Sequence, residues 1–365
     1  MIAKSLPARG ATENTASHRF NLPEREADGD WLDEQTSIDG PIKPERTSVT
    51  VEQPRTIIAR NRSPDIPFDQ SINPYRGCEH GCIYCFARPS HAYLNLSPGL
   101  DFETRLFYKA NAVELLEKEL SHPRYVPKLI QLGANTDPYQ PIERELGLTR
   151  GLLQVLQRFR HPVTLVTKSH TVLRDLDILA DMSNSGLCQV FISLTTLDDE
   201  LKRGLEPRAP SPAARLRAIA SLAAAGVEVG VLAAPMIPAV NDHELEQIIR
   251  AAAAAGARSA GYVLLRLPNE LKDLFEGWLR DQLPLRADHV LSRIRAMRGG
   301  RLNDAQFGSR FHGQGVEAQL LRKRFDLITR RLQLHGFPHP KQRPALSGEL
   351  FRVPPKTGDQ MGFGW

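Results

Sequence analysis

The sequence contains few cysteines, few aromatic residues and no long apolar run. Only 4 of its 365 residues are cysteine, which excludes a disulfide framework as the source of stability. No apolar run approaches the ~18 residues that a membrane-spanning helix needs, and the polar N-terminus lacks the apolar core of a signal peptide. These absences predict a soluble cytoplasmic protein with no membrane partner. With 41% apolar residues, the chain is still able to bury a large core.

Charge is distributed unevenly along the chain. Residues 1–70 contain 9 basic and 12 acidic residues, whereas residues 295–343 contain 11 basic and 3 acidic residues. A basic region of this kind can meet the phosphates of a nucleic acid. A solvated surface of long arginine side chains explains the same composition, and the sequence leaves both interpretations open.

Three of the four cysteines lie within the stretch NPYRGCEHGCIYCFARP at 73–89. Cys78, Cys82 and Cys85 form the pattern C-x3-C-x2-C, which lets one tight loop direct three sulfurs inward. Cysteine thiolates are the usual ligands of a [4Fe–4S] cluster, and three of them leave one iron open for a ligand that is not protein. The spacing therefore favours an iron–sulfur site.

Two other interpretations of the cysteines stay open. Zinc accepts a Cys3His ligand set, which His80 or His91 would complete. The three thiols are alternatively structural residues that lie close together by chance.

The cysteine pattern resembles the signature of the radical S-adenosylmethionine (SAM) superfamily. An aromatic residue before the third cysteine is typical of that family, and here it is Tyr84. The resemblance implies that Cys78, Cys82 and Cys85 are the metal ligands of a [4Fe–4S] cluster, that SAM chelates the fourth iron, and that Tyr84 is a cofactor-binding residue. It also implies a one-electron reductant, such as a flavodoxin or ferredoxin, as a partner.

From residue 71 onward, strand and helix patterns alternate six times at intervals of roughly 30 residues. The predicted strands are 71–75, 128–132, 162–167, 189–194, 227–233 and 259–265. The predicted helices are 110–120, 146–159, 172–182, 213–225, 243–255 and 269–282. Such alternation indicates parallel βαβ units, which a barrel and a doubly wound open sheet satisfy equally. The resemblance implies the α/β fold of its family, a partial (β/α)6 barrel.

The chain divides into four predicted parts. Residues 1–50 are too polar to offset the entropy of ordering and are predicted to be a disordered N-terminal segment. Residues 51–70 form a lead-in, residues 71–285 the radical SAM core, and residues 286–365 a basic, helical C-terminal extension with helices at 291–297 and 316–334.

Candidate cofactor-binding residues follow the predicted strands, because ligands of parallel α/β folds bind at the carboxyl ends of strands. Gly133 and Thr136 follow the second strand. Gly133 permits a close backbone approach, and Thr136 offers a hydroxyl.

Three further runs narrow the resemblance to spore photoproduct lyase and its uncharacterised bacterial relatives. They are TLVTK at 164–168, VFISL with LEP at 190–207, and VGVLAAP at 229–235. In that lyase a lysine and a serine contact SAM, which implies the same role for Lys168 and Ser193. The lyase also uses a cysteine after its second strand, where this chain has the run ANTD at 134–137. The resemblance therefore implies a related group rather than photoproduct repair itself.

The function implied is reductive cleavage of SAM, followed by hydrogen abstraction from a substrate that the sequence does not identify. Nucleic acid, held by the basic 295–343 region, is the substrate class considered, and no catalytic residue is assigned. The alternative is a non-catalytic protein that binds metal, as an iron–sulfur cluster or zinc, together with nucleic acid.

Overall fold

A computed structural model describes residues 9–15, 17, 19, 46–337 and 346–355. Its strands are β1 (Ser48–Glu52), β2 (Ile58–Arg60), β3 (Gln70–Ile72), β4 (Tyr75–Arg76), β5 (Arg105–Lys109), β6 (Ile130–Leu132), β7 (Val163–Thr167), β8 (Cys188–Ser193), β9 (Val229–Met236), β10 (Ser259–Leu264) and β11 (His335–Phe337). Its α-helices are α1 (Asp101–Thr104), α2 (Ala112–Leu120), α3 (Glu143–Leu146), α4 (Leu148–Arg158), α5 (Leu176–Asn184), α6 (Asp199–Leu205), α7 (Pro212–Ala224), α8 (Leu245–Ala254), α9 (Leu271–Gln282), α10 (Ala287–Ala296) and α11 (Gly315–Arg331).

The main sheet has eight strands in the order β11-β10-β9-β8-β7-β6-β3-β2. The six strands β3 and β6 to β10 are parallel neighbours in the order in which they occur in the chain. A doubly wound sheet reverses direction at a switch point, so this sequential order excludes it. The predicted α/β class with a parallel sheet is confirmed. The sheet is open, with β2 and β11 as its edge strands.

The parallel strands of the main sheet are buried almost throughout, and their buried side chains include polar ones such as Gln131, Thr164 and Gln189. All six residues of β8 are buried, as expected for a strand covered on both faces. The helices between strands bury apolar stripes at a period of 3.6 residues. Helix α7 shows the local signals clearly. Ser211 accepts a hydrogen bond from the backbone nitrogen of Ala214 at 3.2 Å, and Gly226 follows the helix with a φ of +80°.

The predicted first strand, 71–75, is divided between two sheets. Gln70–Ile72 joins the main sheet, whereas Tyr75–Arg76 joins a small sheet of order β1-β5-β4. Pro74 lies between them and has no N–H to donate, although its carbonyl accepts from the backbone nitrogen of Lys109 at 3.0 Å. The sequence analysis also missed β1, β2, β5 and β11. The side chains of β1, β2 and β5 are mostly exposed or half-buried, so these strands show no apolar period in the sequence.

Part of the predicted disordered segment has a defined place. Residues 9–15, 17 and 19 are described, and residues 9–15 pack against the cysteine loop. The rest of the predicted segment up to residue 45 lies outside the described residues, as do 338–345 and 356–365 of the C-terminal extension. No helix in the described ranges is both long enough and apolar enough to cross a bilayer.

Candidate metal centre and cofactor site

The cysteine loop, residues 77–86, follows β4 and turns tightly on two glycines. Gly77 and Gly81 have φ values of +77° and +67°, which residues with a Cβ rarely adopt. The backbone nitrogen of Cys85 donates to the carbonyl of Cys82 at 3.2 Å, and that of Cys78 donates to Phe102 at 3.0 Å. These turns bring the three cysteines onto one short loop.

A buried ion pair supports the loop from below. Arg88 and Glu103 are both fully buried and paired with each other. Arg88 Nε also donates to the carbonyl of Cys82 at 2.8 Å, and its Nη1 donates to the carbonyls of Pro98 and Gly99 at 3.1 and 2.9 Å. The guanidinium thus has its charge matched and its donors occupied, which a buried arginine requires. The pair fixes the backbone of the second cysteine.

Residues 9–15, which we call the N-terminal strap, cover the same ion pair. The backbone nitrogens of Gly10 and Ala11 donate to the two carboxylate oxygens of Glu103 at 2.9 and 2.8 Å. A Cβ on Gly10 would lie 1.6 Å from the carbonyl oxygen of Gly81. Only glycine therefore allows the strap to approach the cysteine loop this closely.

The three thiols form a donor set suited to a cluster. Cys78 and Cys82 are buried and Cys85 is half-buried, and none forms a disulfide. Burial raises the pKa of all three thiols, to about 12 for Cys82. A bound cation reverses this preference, because a coordinating thiol is deprotonated. Buried thiols on a short loop therefore fit a metal-bound group.

Neither candidate histidine forms a single-metal group with the three cysteines among the described residues. Within the described ranges, no three His, Cys, Asp or Glu side chains converge where one metal ion fits. A tetrahedral zinc site requires such convergence, whereas each cysteine of a [4Fe–4S] cluster binds a different iron. His80 Nδ1 lies 3.2 Å from Asp137 Oδ2, and His91 Nε2 lies 3.0 Å from the carbonyl oxygen of Arg105. The donor set fits a cluster better than a Cys3His zinc site.

Asp137 connects the cysteine loop to the carboxyl end of β7. Its Oδ1 accepts from Thr167 Oγ1 at 2.6 Å, and its Oδ2 accepts from the backbone nitrogen of Lys168 at 2.8 Å. Burial alone would raise the pKa of Asp137, but the charge and hydrogen bond of His80 and the bonds from Lys168 and Thr167 lower it to about 2. The ionised carboxylate thereby holds the backbone from which Lys168 extends.

Lys168, Ser193 and Tyr84 meet at the carboxyl ends of β7 and β8. Lys168 Nζ donates to Ser193 Oγ at 3.0 Å and lies 5.8 Å from the centre of the Tyr84 ring. Burial would lower the pKa of Lys168, but the charges of Cys82 and Glu206 raise it. The lysine therefore presents a positive charge near the second cysteine.

Behind these residues lies a buried network centred on Glu206. Tyr84 Oη and Thr195 Oγ1 both donate to Glu206, the latter at 2.6 Å, and Arg215 pairs with it. Burial would raise the pKa of Glu206, but the charges of Arg215 and Lys168 lower it to about 2. Burial and the charge of Glu206 raise the pKa of Tyr84 well above its usual value, so its phenol stays neutral and donates.

Gly133 and Thr136 lie in the loop that supports the cysteine loop. Thr136 Oγ1 donates to the carbonyl of Gly77 at 2.8 Å, beside Gln140, whose Nε2 donates to the same carbonyl at 3.2 Å. Gly133 has a φ of +80°, and a Cβ there would lie 2.4 Å from Pro138 Cδ. In this arrangement both residues contact protein and shape the loop.

The sequence analysis missed the buried partners of the site. No sequence pattern predicts a role in the site for the four buried charged residues Arg88, Glu103, Glu206 and Arg215. Glu206 lies only within the run LEP at 205–207, which resembles a run in spore photoproduct lyase. A single charged residue in a turn or on a helix is indistinguishable from a surface residue in the sequence, and only the tertiary structure shows that these four are buried.

Comparisons with known proteins agree with this geometry. A sequence model of the radical SAM superfamily matches residues 72–252. An uncharacterised protein of Mycobacterium tuberculosis is 35% identical over 259 residues, which is 70% of this chain and 75% of that protein. An uncharacterised protein of Methanocaldococcus jannaschii is 29% identical over 173 residues, 47% of this chain and 62% of that protein. The chain belongs to the radical SAM superfamily.

Solved structures of spore photoproduct lyase share its fold. The lyase complexed with dinucleoside spore photoproduct aligns with a TM-score of 0.57 and 17% identity over 80% of each chain. A variant with bound AdoMet and the same dinucleoside aligns with a TM-score of 0.56 and 16% identity, over 85% of this chain and 92% of that one. At this identity the likeness shows a common fold. The chain is thus similar in fold to the lyase and in sequence to uncharacterised proteins.

Proposed function

We propose that the protein is a radical SAM enzyme whose cysteine loop carries a [4Fe–4S] cluster through Cys78, Cys82 and Cys85. When bound, the cluster and SAM supply the one-electron chemistry of the family, in which SAM is cleaved to a 5′-deoxyadenosyl radical that abstracts a hydrogen atom. The observation that carries the proposal is the C-x3-C-x2-C loop of buried and half-buried thiols beside the half-buried Lys168.

The residues of the chain bind and orient SAM in this proposal. Lys168 places a positive charge near the cysteine loop, which suits the carboxylate of SAM. Ser193 is the last residue of β8, where it holds Lys168 Nζ at 3.0 Å and can exchange that contact for one to the ligand. Tyr84 is fixed by Glu206 and presents its ring face to the same space. Lys168, Ser193 and Tyr84 are accordingly proposed as cofactor-binding residues.

Gly133 and Thr136 are proposed to support cofactor binding indirectly, by fixing the shape of their loop. Their loop holds the carbonyl of Gly77, immediately before the first cysteine. We infer that a change at either position displaces the cysteine loop and weakens cofactor binding without removing a ligand.

The proposal also includes two partners. A one-electron reductant such as a flavodoxin or ferredoxin would deliver the electron that the family's chemistry requires. The substrate class proposed is nucleic acid. The basic composition of residues 295–343 supports it, although three of those arginines are engaged within the protein: Arg298 is buried, Arg310 pairs with Asp65 at 2.7 Å and Arg324 pairs with Glu246 at 2.6 Å.

Anaerobic reconstitution with iron and sulfide tests the proposal. The loaded protein is treated with dithionite and SAM, and 5′-deoxyadenosine is measured by chromatography. We expect about four irons per chain and formation of that product. Cys82→Ser should lose both, whereas Cys188→Ser is the matched control, since Cys188 lies at the amino end of β8. Stoichiometric zinc without iron would refute the cluster, and a loaded cluster without product would favour the non-catalytic alternative.

A further inference from the structure

Three phenylalanines and two arginines form one continuous stack beside the cysteine loop. The guanidinium carbon of Arg266 lies 5.7 Å from the ring centre of Phe86 and 4.9 Å from that of Phe311. The guanidinium carbon of Arg310 lies 4.8 Å from the ring centres of Phe311 and Phe307. Rings and cations alternate along the whole row, which we call the Phe–Arg stack.

The stack begins at the candidate site and crosses the open side of the main sheet. Phe86 is the residue after Cys85, and Phe311 accepts at its carbonyl from the backbone nitrogen of Leu264, at the end of β10, at 2.8 Å. At the other end, the backbone nitrogen of Gly308 donates to Asp65 at 2.8 Å. Asp65 lies in the loop between β2 and β3. These two strands form one edge of the main sheet, and β10 lies next to the other edge.

The two ends of the stack face solvent. Phe86 is 50% exposed and Phe307 is 63% exposed. A single exposed ring is ordinary on a protein surface. Here, however, a guanidinium lies against each exposed ring, and both rings belong to the same Phe–Arg stack. In addition, Arg266 Nε is buried with no hydrogen-bond partner among the described residues.

A positively charged cavity adjoins the Phe307 end. Its volume is about 740 Å³, and its basic lining residues are Arg60, Arg62, Arg124 and Lys128. Lys128 pairs with Asp69 at 2.6 Å. In the part of the chain that the structure describes, no acidic side chain pairs with the three arginines. The cavity therefore keeps an excess of positive charge.

The stack and the cavity share a wall. Ser63 and Pro64 line the cavity, and Arg310 of the stack donates a hydrogen bond to Ser63 Oγ. A ligand that lies along the stack can consequently enter the cavity without leaving the protein surface.

We propose that the Phe–Arg stack and the adjoining cavity bind single-stranded nucleic acid. Bases lie on the exposed faces of Phe86 and Phe307, and backbone phosphates lie against Arg60, Arg62 and Arg124. The inference rests on the proposed function and deepens it, because it assigns unpaired nucleotides as the substrate class and gives them a path to the cysteine loop.

The chemistry of the surface favours this ligand over other polyanions. Base stacking on aromatic side chains accepts any base, since every base has a π face. Arginine forks match phosphate geometry and also stack on rings. An acidic peptide would pair with the arginines but would not need the rings. A duplex would keep its base faces inside the helix, so the rings would stay unused.

The first test compares two strands of equal length by fluorescence anisotropy. The full-length, cluster-loaded protein is titrated with a labelled oligothymidylate longer than the ~16 nucleotides that one OB fold covers at most, and with an abasic strand of the same length. We expect the abasic strand to bind at least about 25-fold more weakly, because it lacks both stacked bases and each contributes a factor of roughly 5 to 150. An oligouridylate arm distinguishes RNA from DNA.

Variants of Phe307 distinguish base stacking from nonspecific apolar contact. Phe307→Leu removes the π face but keeps an apolar side chain, and we expect oligothymidylate to bind about 5- to 150-fold more weakly. Phe307→Trp should bind at least as tightly as the unchanged protein. The matched control is Leu327→Ala, because Leu327 is 64% exposed on α11 and lies outside the stack; its affinity should not change.

Salt dependence tests the cavity separately. Each phosphate contact contributes about −0.7 to the slope of log K against log salt for single strands. Replacing both Arg62 and Arg124 with serine should therefore make the slope shallower by about 1.4. An unchanged slope would show that Arg62 and Arg124 of the cavity do not contact phosphates.

The outcomes distinguish this inference from the proposed function. Equal binding of the thymidylate and abasic strands, or tight binding of polyglutamate, would overturn it and leave a general polyanion surface. Absence of nucleic-acid binding with normal 5′-deoxyadenosine formation would overturn it together with the nucleic-acid substrate class, while the proposed cleavage of SAM stands. Stacking-dependent binding without 5′-deoxyadenosine would support it and reject the enzyme.

Discussion

Removing the Glu103 carboxylate should destabilise the protein more than any exposed charge does. Glu103 and Arg88 are both fully buried, and the side chain of Glu103 also accepts from two backbone nitrogens of the N-terminal strap. In Glu103→Ala, the guanidinium of Arg88 stays buried without a counter-charge. The strap loses its anchor at the same time.

The expected cost follows from these contacts. Removing one partner of a buried ion pair costs about 3–5 kcal/mol, since the other charge is left uncompensated. The lost acceptor of the strap nitrogens adds about 1 kcal/mol, because segments near a terminus can regain water. The free energy of unfolding should therefore fall by about 4–6 kcal/mol. The carbonyl of Cys82, which Arg88 holds, should also move, so iron retention should decrease.

A matched substitution controls for the loss of a glutamate. Glu117 pairs with Arg158 at 2.8 Å, and the two side chains are 51% and 50% exposed. Glu117→Ala should change the free energy of unfolding by no more than about 1 kcal/mol. Both variants are unfolded anaerobically in urea, with far-ultraviolet circular dichroism and iron content as readouts.

Two results would refute the reasoning. One is a Glu103→Ala variant that is as stable as Glu117→Ala. The other concerns the double variant Arg88→Met with Glu103→Leu, which removes both charges and fills their volume. It should be more stable than Arg88→Met alone, which loses the same three carbonyl bonds of Arg88 but leaves the Glu103 charge unpaired. Equal or lower stability of the double variant would show that the unpaired charge is not the cause.

Three further predictions concern the site. Lys168→Ala should weaken SAM binding about 10- to 100-fold, as expected for a hydrogen bond to a charged group; equilibrium dialysis measures it, with Lys118→Ala as control, and equal affinities would reject the role of Lys168. Cys82→Ser should abolish the iron–sulfur absorbance and Cys188→Ser should keep it, while loss in both would point to general misfolding. Because the pKa of Glu206 is lowered from 4.5 to about 2, its charge stabilises the fold fully above pH 4.5 and loses that effect as the pH falls toward 2. Glu206→Gln should flatten this part of the stability profile, and an unchanged profile in urea titrations would contradict the assignment.

The regular elements of the core were predictable because their signals are local. All six parallel strands occur close to where the sequence predicts them. The predicted helices 213–225 and 243–255 also end where a glycine follows, Gly226 and Gly256, with left-handed φ values of +80° and +102°. The edge elements were not predictable in this way. Strand β1 is exposed over four of its five residues, so it exists only because it pairs with β5, and such pairing leaves no period in the sequence.

The candidate site likewise has one part that the sequence predicts and another that only the tertiary structure shows. The sequence by itself determined the parallel α/β architecture and the gathering of three cysteines on one loop, because hydrophobic period and short cysteine spacing act within a few turns of chain. Only the tertiary structure decided which charges are buried together: Tyr84 meets Glu206 across 122 residues of sequence, and Phe86 meets Arg266 across the open side of the sheet. Such contacts depend on strand order and burial, which bring distant residues into one low-dielectric space, and no local pattern encodes them.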